Sequence, residues 1–303
     1  MSGDEFMFDL IKLTEKTYYF DIPTKIGVYK LDDKNAMLID SGINAKTASR
    51  VLKILDSKGL QVAFIVNTHS HTDHAGGNRF ICEQTGCKAY APEVEDMLIE
   101  YSDVEATLVY GGFPCRDFRK KFMNTESSKT YPLKDAPLPQ GMEIFPLHGH
   151  TAHMIGVKTP DDVYFIADAV NGKNTLDKAK ICYVYDIDTQ FETLEKLKEL
   201  DGKLCVPAHT DPTENVEYLA KINIENLLEI RKDILSIIKE SPKTTEEITA
   251  QLCKKYELKE DFMGLVMVTS TVRSHLVSLR HKGLLDWFIE DYIHYWKIAE
   301  ENI

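Results

Sequence analysis

Short apolar runs separated by turn residues fill the first forty positions: Tyr18-Tyr19-Phe20, Ile26-Gly27-Val28-Tyr29 and Ala36-Met37-Leu38-Ile39. Asp32-Asp33-Lys34-Asn35 between the last two is a turn, so the chain opens as a meander of strands. Residues 45–58 then show helical spacing, with Val51, Leu52 and Leu55 on one face. The run Val62-Ala63-Phe64-Ile65-Val66 reads as a buried strand, and Gly76-Gly77 end the loop that follows it. Strand, helix, strand and a loop is the opening of an α/β layered fold. Residues 78–102 predict helix, strand (88–91), Pro92 and a second helix. Residues 103–140 lose clear periodicity. Their Gly and Pro, with Phe118, Arg119, Lys120, Lys121 and Phe122 among them, predict an irregular wall over a pocket.

Three more short runs, at 143–147, 155–158 and 163–168, predict a second sheet, and a helix at 190–200 leads to a strand at 203–206. Helical patterns follow at 222–239, 248–256 and 268–282. Thr244-Thr245-Glu246-Glu247 is a capped start for the second, and Gly283 stops the third. Two strands, 285–289 and 292–298, complete the chain. Helix, helix, helix and hairpin resembles a winged-helix module. No internal repeat is present.

At 303 residues the chain can bury one large core and a smaller one; we expect a domain at 1–220 and another at 221–303. Hydrophobic content of 43% and charged content of 28% are those of a globular protein. No run reaches the roughly 18 uninterrupted apolar residues of a membrane span, so no membrane partner is expected. Met1-Ser2-Gly3-Asp4-Glu5 lacks a basic region before an apolar core, which predicts a cytoplasmic protein. A net charge of −12 disfavours non-specific nucleic-acid binding, which needs Lys and Arg on phosphates. The six cysteines form no Cys-x-x-Cys pair and are expected as buried free thiols, with Cys115, in a Gly- and Pro-rich loop, as the candidate for exposure near the site.

The candidate chemistry lies in Val66-Asn67-Thr68-His69-Ser70-His71-Thr72-Asp73-His74-Ala75-Gly76-Gly77, where histidines and an aspartate crowd the loop after a buried strand. Imidazole and carboxylate suit zinc, iron or manganese. His69-x-His71-x-Asp73-His74, together with Gly149-His150-Thr151-Ala152-His153, Phe165-Ile166-Ala167-Asp168 and Val206-Pro207-Ala208-His209, resembles the motif set of the metallo-β-lactamase-fold hydrolases, over roughly residues 10 to 220.

The resemblance implies an α/β fold, an αββα sandwich, here with a smaller C-terminal helical, winged-helix-like domain. It implies two divalent metal ions. His69, His71 and His150 would hold the first, Asp73, His74 and His209 the second, and Asp168 both. A hydroxide bridging the ions would be the nucleophile, and Asp73 the catalytic residue that orients it and takes up a proton. Zinc is the first expectation; the ligand types also admit iron or manganese. His71 stands where the redox diiron flavoproteins of the superfamily carry glutamate, which weighs against redox chemistry.

The Gly149-His150-Thr151 arrangement resembles the glyoxalase II branch and implies hydrolysis of a small-molecule thioester, although that branch's glutathione-binding residues cannot be matched here. Two alternatives stay open: a phosphodiesterase or endoribonuclease of the same fold, and a metal-loaded winged-helix DNA-binding sensor. Of the other histidines, His148 is a weaker ligand candidate and His153 a packing or outer partner, while His275, His281 and His294 are expected to face solvent. Arg273, His275, Arg280, His281 and Lys282 on the third C-terminal helix would suit DNA, but Glu257, Glu260, Asp261, Glu290 and Asp291 balance them. A wall of the active site or a homodimer contact is therefore the preferred role of that module.

Overall fold

The computed structural model describes residues 8–116, 118 and 126–300. Arg119, Lys120, Lys121 and Phe122 of the expected wall lie outside the described residues. Seven strands form the first sheet in chain order: β1 (Asp9–Lys12), β2 (Thr17–Asp21), β3 (Ile26–Lys30), β4 (Asn35–Ile39), β5 (Gln61–Val66), β6 (Lys88–Ala91) and β7 (Thr130–Pro132). Pairing is antiparallel up to β4 and parallel from β4 to β7. The second sheet has the order β11 (Leu204–Pro207), β10 (Val163–Ala167), β9 (Ile155–Lys158), β8 (Glu143–Pro146), with β10 and β11 parallel.

Period-two alternation builds the layers. Met37, Ile39, Phe64 and Val66 of the first sheet meet Val157, Val163, Phe165 and Val206 of the second. On the outer face of the first sheet, Val28, Leu38 and Ile65 receive Val51 and Leu55 of helix α1 (Ala45–Ser57) and Ile81 of the helix Asn78–Thr85. On the outer face of the second, Tyr164 and Ile166 receive Ile187 and Leu194 of the helix Ile187–Leu197, and Val216 and Leu227 of the helix Val216–Glu240. The result is the four-layer αββα sandwich.

The helix Val216–Glu240 serves two cores. Its first half packs on the second sheet, whereas Ile230, Ile234 and Ile238 pack with Ile248, Leu252, Val272, Leu276, Leu285 and Trp296. Residue 220 thus falls inside a continuous helix. The expected cap is present at Thr244: its hydroxyl accepts from Glu247 N at 3.1 Å and Glu247 Oε2 accepts from Thr244 N at 2.8 Å. The hairpin β12 (Leu285–Glu290) and β13 (Ile293–Ile298) closes the module.

Four expectations need correction. The aperiodic stretch contains a helix, Ser102–Tyr110, whose inward face includes Glu105 beside Ala106 and Val109; a carboxylate on the buried face disguised the pattern. The helix Phe262–His281 begins six residues earlier than its apolar pattern, because Asp261 Oδ1 accepts from Gly264 N at 2.8 Å. By length and composition it is apolar enough to cross a membrane, but its Val268, Val272, Leu276 and Leu279 are buried in the C-terminal core. His275 does not face solvent: it is fully buried and neither ring nitrogen has a hydrogen-bond partner. All six cysteines are free, yet Cys205 alone is fully buried and Cys115 is exposed.

Candidate metal centre

The sheet edge that carries the carboxyl ends of β4, β5, β10 and β11 gathers the seven candidate residues, the crevice where open α/β sheets place their ligands. β5 delivers His69 into a loop, and His71 caps a one-turn helix (Thr72–Ala75) that holds Asp73 and His74. Gly76 and Gly77 are required by space: a Cβ at either would come within 2.3 Å of a carbonyl oxygen, that of Ile43 or Ser41. His150 sits between β8 and β9, after Gly149, where φ is +126° and a Cβ would strike the Gln190 backbone at 2.5 Å. Asp168 follows Ala167, a non-glycine residue at φ +46° that ends β10 and turns the carboxylate into the crevice. His209 follows β11.

The donor atoms fall into two groups, His69, His71, His150 and Asp168 in one, and Asp73, His74 and His209 in the other; within each group the atoms lie within 4.8 Å of one another. Asp168 faces both. Its Oδ2 is 3.4 Å from His150 Nε2 and 3.2 Å from His209 Nε2, and its Oδ1 is 3.1 Å from His74 Nε2. Asp73 Oδ2 lies 3.3 Å from His209 Nε2 and 3.6 Å from His74 Nε2.

The outer nitrogens of the imidazoles are turned toward oxygen. His74 Nδ1 donates to Asp40 Oδ2 at 2.8 Å, His150 Nδ1 to the Tyr183 carbonyl at 3.2 Å, and His209 Nδ1 to the Pro23 carbonyl at 2.9 Å. Thr68 Oγ1 donates its one proton to Asp40 Oδ2 at 2.8 Å, so His69 Nδ1 is the donor to Thr68 Oγ1 at 3.1 Å. His71 Nε2 faces Glu105 Oε1 at 3.5 Å. Held this way, His69, His71 and His150 turn a lone pair inward, whereas His74 Nε2 and His209 Nε2 face the carboxylates of Asp168 and Asp73. His69 Nε2, His74 Nε2 and Asp168 Oδ1 are buried without a hydrogen-bond partner, and His150 Nε2 and His71 Nδ1 stand only 2.9 Å apart. Two lone pairs at that separation repel unless a cation or proton lies between them. This donor set fits divalent metal ions, with the outer oxygens holding each ring's orientation.

Electrostatics point the same way. Burial pushes His69 far down, and His71 and His150 to about 4, so these three are neutral and ready to donate. Burial opposes charge on His74 and His209 too, but Asp168 outweighs it, raising His74 well above its usual value and His209 to about 10. Asp168 and Asp73 are held well below the carboxylate range despite their burial, Asp168 chiefly by His209 and Asp73 by His74. Two sunken carboxylates thus demand positive charge, which protons or metal ions can supply.

Several residues that shape this centre were not singled out from the sequence. Asp40, at φ +64°, also accepts from Thr68 N at 2.8 Å. Glu95 is fully buried and joins two ligand loops: it accepts from Ser70 N at 3.0 Å, Thr151 Oγ1 at 2.6 Å and His153 N at 3.1 Å. Glu105 accepts from Ser70 Oγ at 2.9 Å, and burial raises its carboxyl to about 8. Thr24 Oγ1 donates to Asp73 Oδ2 at 2.8 Å. The available signal was a carboxylate on the apolar face of a short helix, Glu95 with Leu98 and Ile99, and Glu105 with Ala106 and Val109. His148 joins neither donor group; its ring lies 5.4 Å from that of His153.

A family model for the metallo-beta-lactamase superfamily matches residues 21–209. Among curated relatives, a hydroxyacylglutathione hydrolase of Methylobacillus flagellatus is 36% identical over 72 residues, 24% of this chain and 27% of its own length. Another, of Hyphomonas neptunium, is 28% identical over 188 residues, 61% of this chain and 62% of its own length. The chain thus spans less than two thirds of these relatives. A beta-lactamase domain protein from Burkholderia ambifaria superposes with a TM-score of 0.74 at 14% identity, covering 96% of this chain and 94% of its own. A metallo-beta-lactamase family protein from Thermus thermophilus gives 0.71 at 18% identity, covering 94% and 100%. Those two likenesses are of fold alone. Taken with the sandwich and its converging His and Asp donors, the family match over most of the chain settles the assignment: this protein belongs to the metallo-beta-lactamase superfamily.

Proposed function

We propose that the protein is a dinuclear metal-dependent hydrolase of a small-molecule acyl substrate, a thioester in the first instance, with zinc as the metal. The observation that carries this reading is Asp168, whose two oxygens face donors of both groups at 3.1–3.4 Å. When bound, the ions supply Lewis acidity and lower the pKa of a water from 15.7 to about 7. His69, His71, His150 and Asp168 would hold one ion, and Asp73, His74, His209 and Asp168 the other. The names of the relatives, hydroxyacylglutathione hydrolases, favour a thioester over other acyl groups.

Asp73 has Oδ2 engaged by Thr24 and His209, which leaves Oδ1 to accept from an attacking water. A carboxyl held so low is a better orienting acceptor than a proton store. Beside His209 opens a cavity of about 640 Å³, lined among others by Lys25, Lys173, Thr175, Asp211 and Tyr218; its size suits a small ligand.

We read residues 1–220 as the catalytic domain and 221–303 as a winged-helix-like module that backs the site. Thr271 Oγ1 accepts from Val184 N at 3.2 Å and lies 3.3 Å from the carbonyls of both Cys182 and Met267, which sets it beside the Tyr183 carbonyl that orients His150. Around the helix Phe262–His281, acidic neighbours partly offset the basic side chains: Arg273 pairs with Glu246 at 3.7 Å, Arg280 with Asp286 at 3.4 Å and Lys282, at its cap, with Asp188 at 2.6 Å. This disfavours both nucleic-acid readings.

A panel of acyl thioesters, lactones and phosphodiesters, assayed on protein of measured metal content, tests the proposal. Thioester turnover that follows metal content supports it; turnover of phosphodiesters alone overturns it.

A further inference from the structure

Two thiols meet on the outer face of the first sheet, just before the amino end of β6. Cys82 lies in the last turn of the helix Asn78–Thr85, and Gly86 ends that helix at φ +74°, its amide bonded to the Cys82 carbonyl at 2.9 Å. The turn brings Cys87 back over the helix end, so that the two sulfurs stand 3.7 Å apart, the one thiol–thiol contact among the described residues. Both side chains are partly buried against the outer core of the sheet, while Glu83, Gln84, Thr85 and Gly86 between them are exposed. Nothing lies within 4 Å of a Cβ built at Gly86, so the turn has room to adjust as the sulfurs close to the roughly 2.05 Å of a bond.

We propose that Cys82 and Cys87 are a redox-active dithiol, converted to an intramolecular disulfide by exchange with a low-molecular-weight disulfide. The two sulfurs have distinct roles. The contact between the two sulfurs, in which either can be the donor, draws Cys87 down and pushes Cys82 up. Cys87 is then the attacking thiolate. Its sulfur bonds to one sulfur of the external disulfide and the other leaves as a thiolate. Cys82 next loses its proton to solvent and attacks Cys87 Sγ, displacing the second external thiolate. Two protein thiols are oxidised and one external disulfide is reduced to two thiols, so electrons and protons balance. In a reducing cytosol the bridge would be transient.

The pair lies on one tryptic peptide, residues 80–88, because no Lys or Arg separates the cysteines. The full-length metal-loaded protein is incubated with excess oxidised glutathione and the digest is read by mass. The expected product is that peptide lighter by two hydrogen atoms, free of glutathione and restored by dithiothreitol. In Cys82→Ser the reaction should stop at a stable glutathione adduct on Cys87, and Cys87→Ser should be modified several-fold more slowly. A wild-type peptide that keeps both thiols, or that retains glutathione under excess, overturns the proposal, as does equal reactivity of the two serine variants. Adducts on Cys115 are read on a separate peptide and do not bear on the outcome.

Discussion

Asp40 Oδ2 accepts a hydrogen bond from His74 Nδ1 at 2.8 Å, and both side chains are almost wholly buried. The same carboxylate takes the amide and hydroxyl of Thr68, and Thr68 in turn accepts from His69 Nδ1. One acidic residue therefore fixes the ring orientation of a histidine in each donor group. We predict that Asp40→Asn lowers metal affinity by about 10–100-fold, the usual cost of losing an outer partner of a metal ligand. Chelator-competition titration with zinc measures it; unchanged affinity would show that the ring orientations are held by packing alone.

Glu95 ties the His69–His71 loop to the His150 loop through three donors. Glu95→Gln turns an amide group toward at least one of them, leaving a buried donor unpaired at about 1–3 kcal/mol. We expect a lower urea midpoint and weaker zinc binding together. Loss of stability with zinc affinity intact would confine Glu95 to a structural role.

For Asp73, itself a donor of the second group, the expectation is a folded protein that binds the second ion more weakly and turns over much more slowly. Asp73→Asn should lower kcat on a responsive thioester by about 10²–10⁴-fold, the range for losing a side chain that hydrogen-bonds the reacting proton in the transition state. Metal analysis and thermal melting accompany the assay, and wild-type kcat with wild-type metal content would remove Asp73 from the chemistry.

His275 gives the fold a pH dependence separate from the metal centre. Burial first, then Arg231, pushes its imidazole down to about 3, from an ordinary value of 6.5. Above pH 6.5 neither folded nor unfolded chain protonates it. Below that, the unfolded chain binds the proton and the folded chain does not, so stability falls with acidification by up to about 1.4 kcal/mol per pH unit, down to roughly pH 3. His275→Leu should abolish this component. Urea midpoints of both proteins at pH 7 and pH 5 test it: the wild type should lose more than the variant, and equal losses would contradict the prediction.

Metal removal should also cost stability. An ion at one hundred times its Kd stabilises the native state by about 2.7 kcal/mol if the unfolded chain does not bind it. Dialysis against a chelator should lower Tm, and added zinc should restore it. A Tm indifferent to zinc would refute a cation-binding role for these residues.

The donor cluster around His69–His74 was legible because its residues are adjacent in sequence and follow an apolar strand whose period announces a crevice edge. His150, Asp168 and His209 were found through resemblance, since spacing cannot say that the ends of β8, β10 and β11 share a rim. Glu105 was hidden because a buried carboxylate breaks the apolar stripe by which a helix is detected. His275 was misjudged for the converse reason: a polar residue on a helix is expected outside, and only the packing of the helices Val216–Glu240 and Phe262–His281 buries it.

By itself, the sequence determined the local elements, the layered α/β class and the types of donor, all of which depend on periodicity, capping and side-chain chemistry within a few residues. Tertiary structure decided which nitrogen each imidazole presents, which carboxylates stand behind the candidate donors and that Cys82 meets Cys87. Those outcomes depend on distances between segments far apart in the chain, or on the turn of one backbone angle. Periodicity carries no information about either.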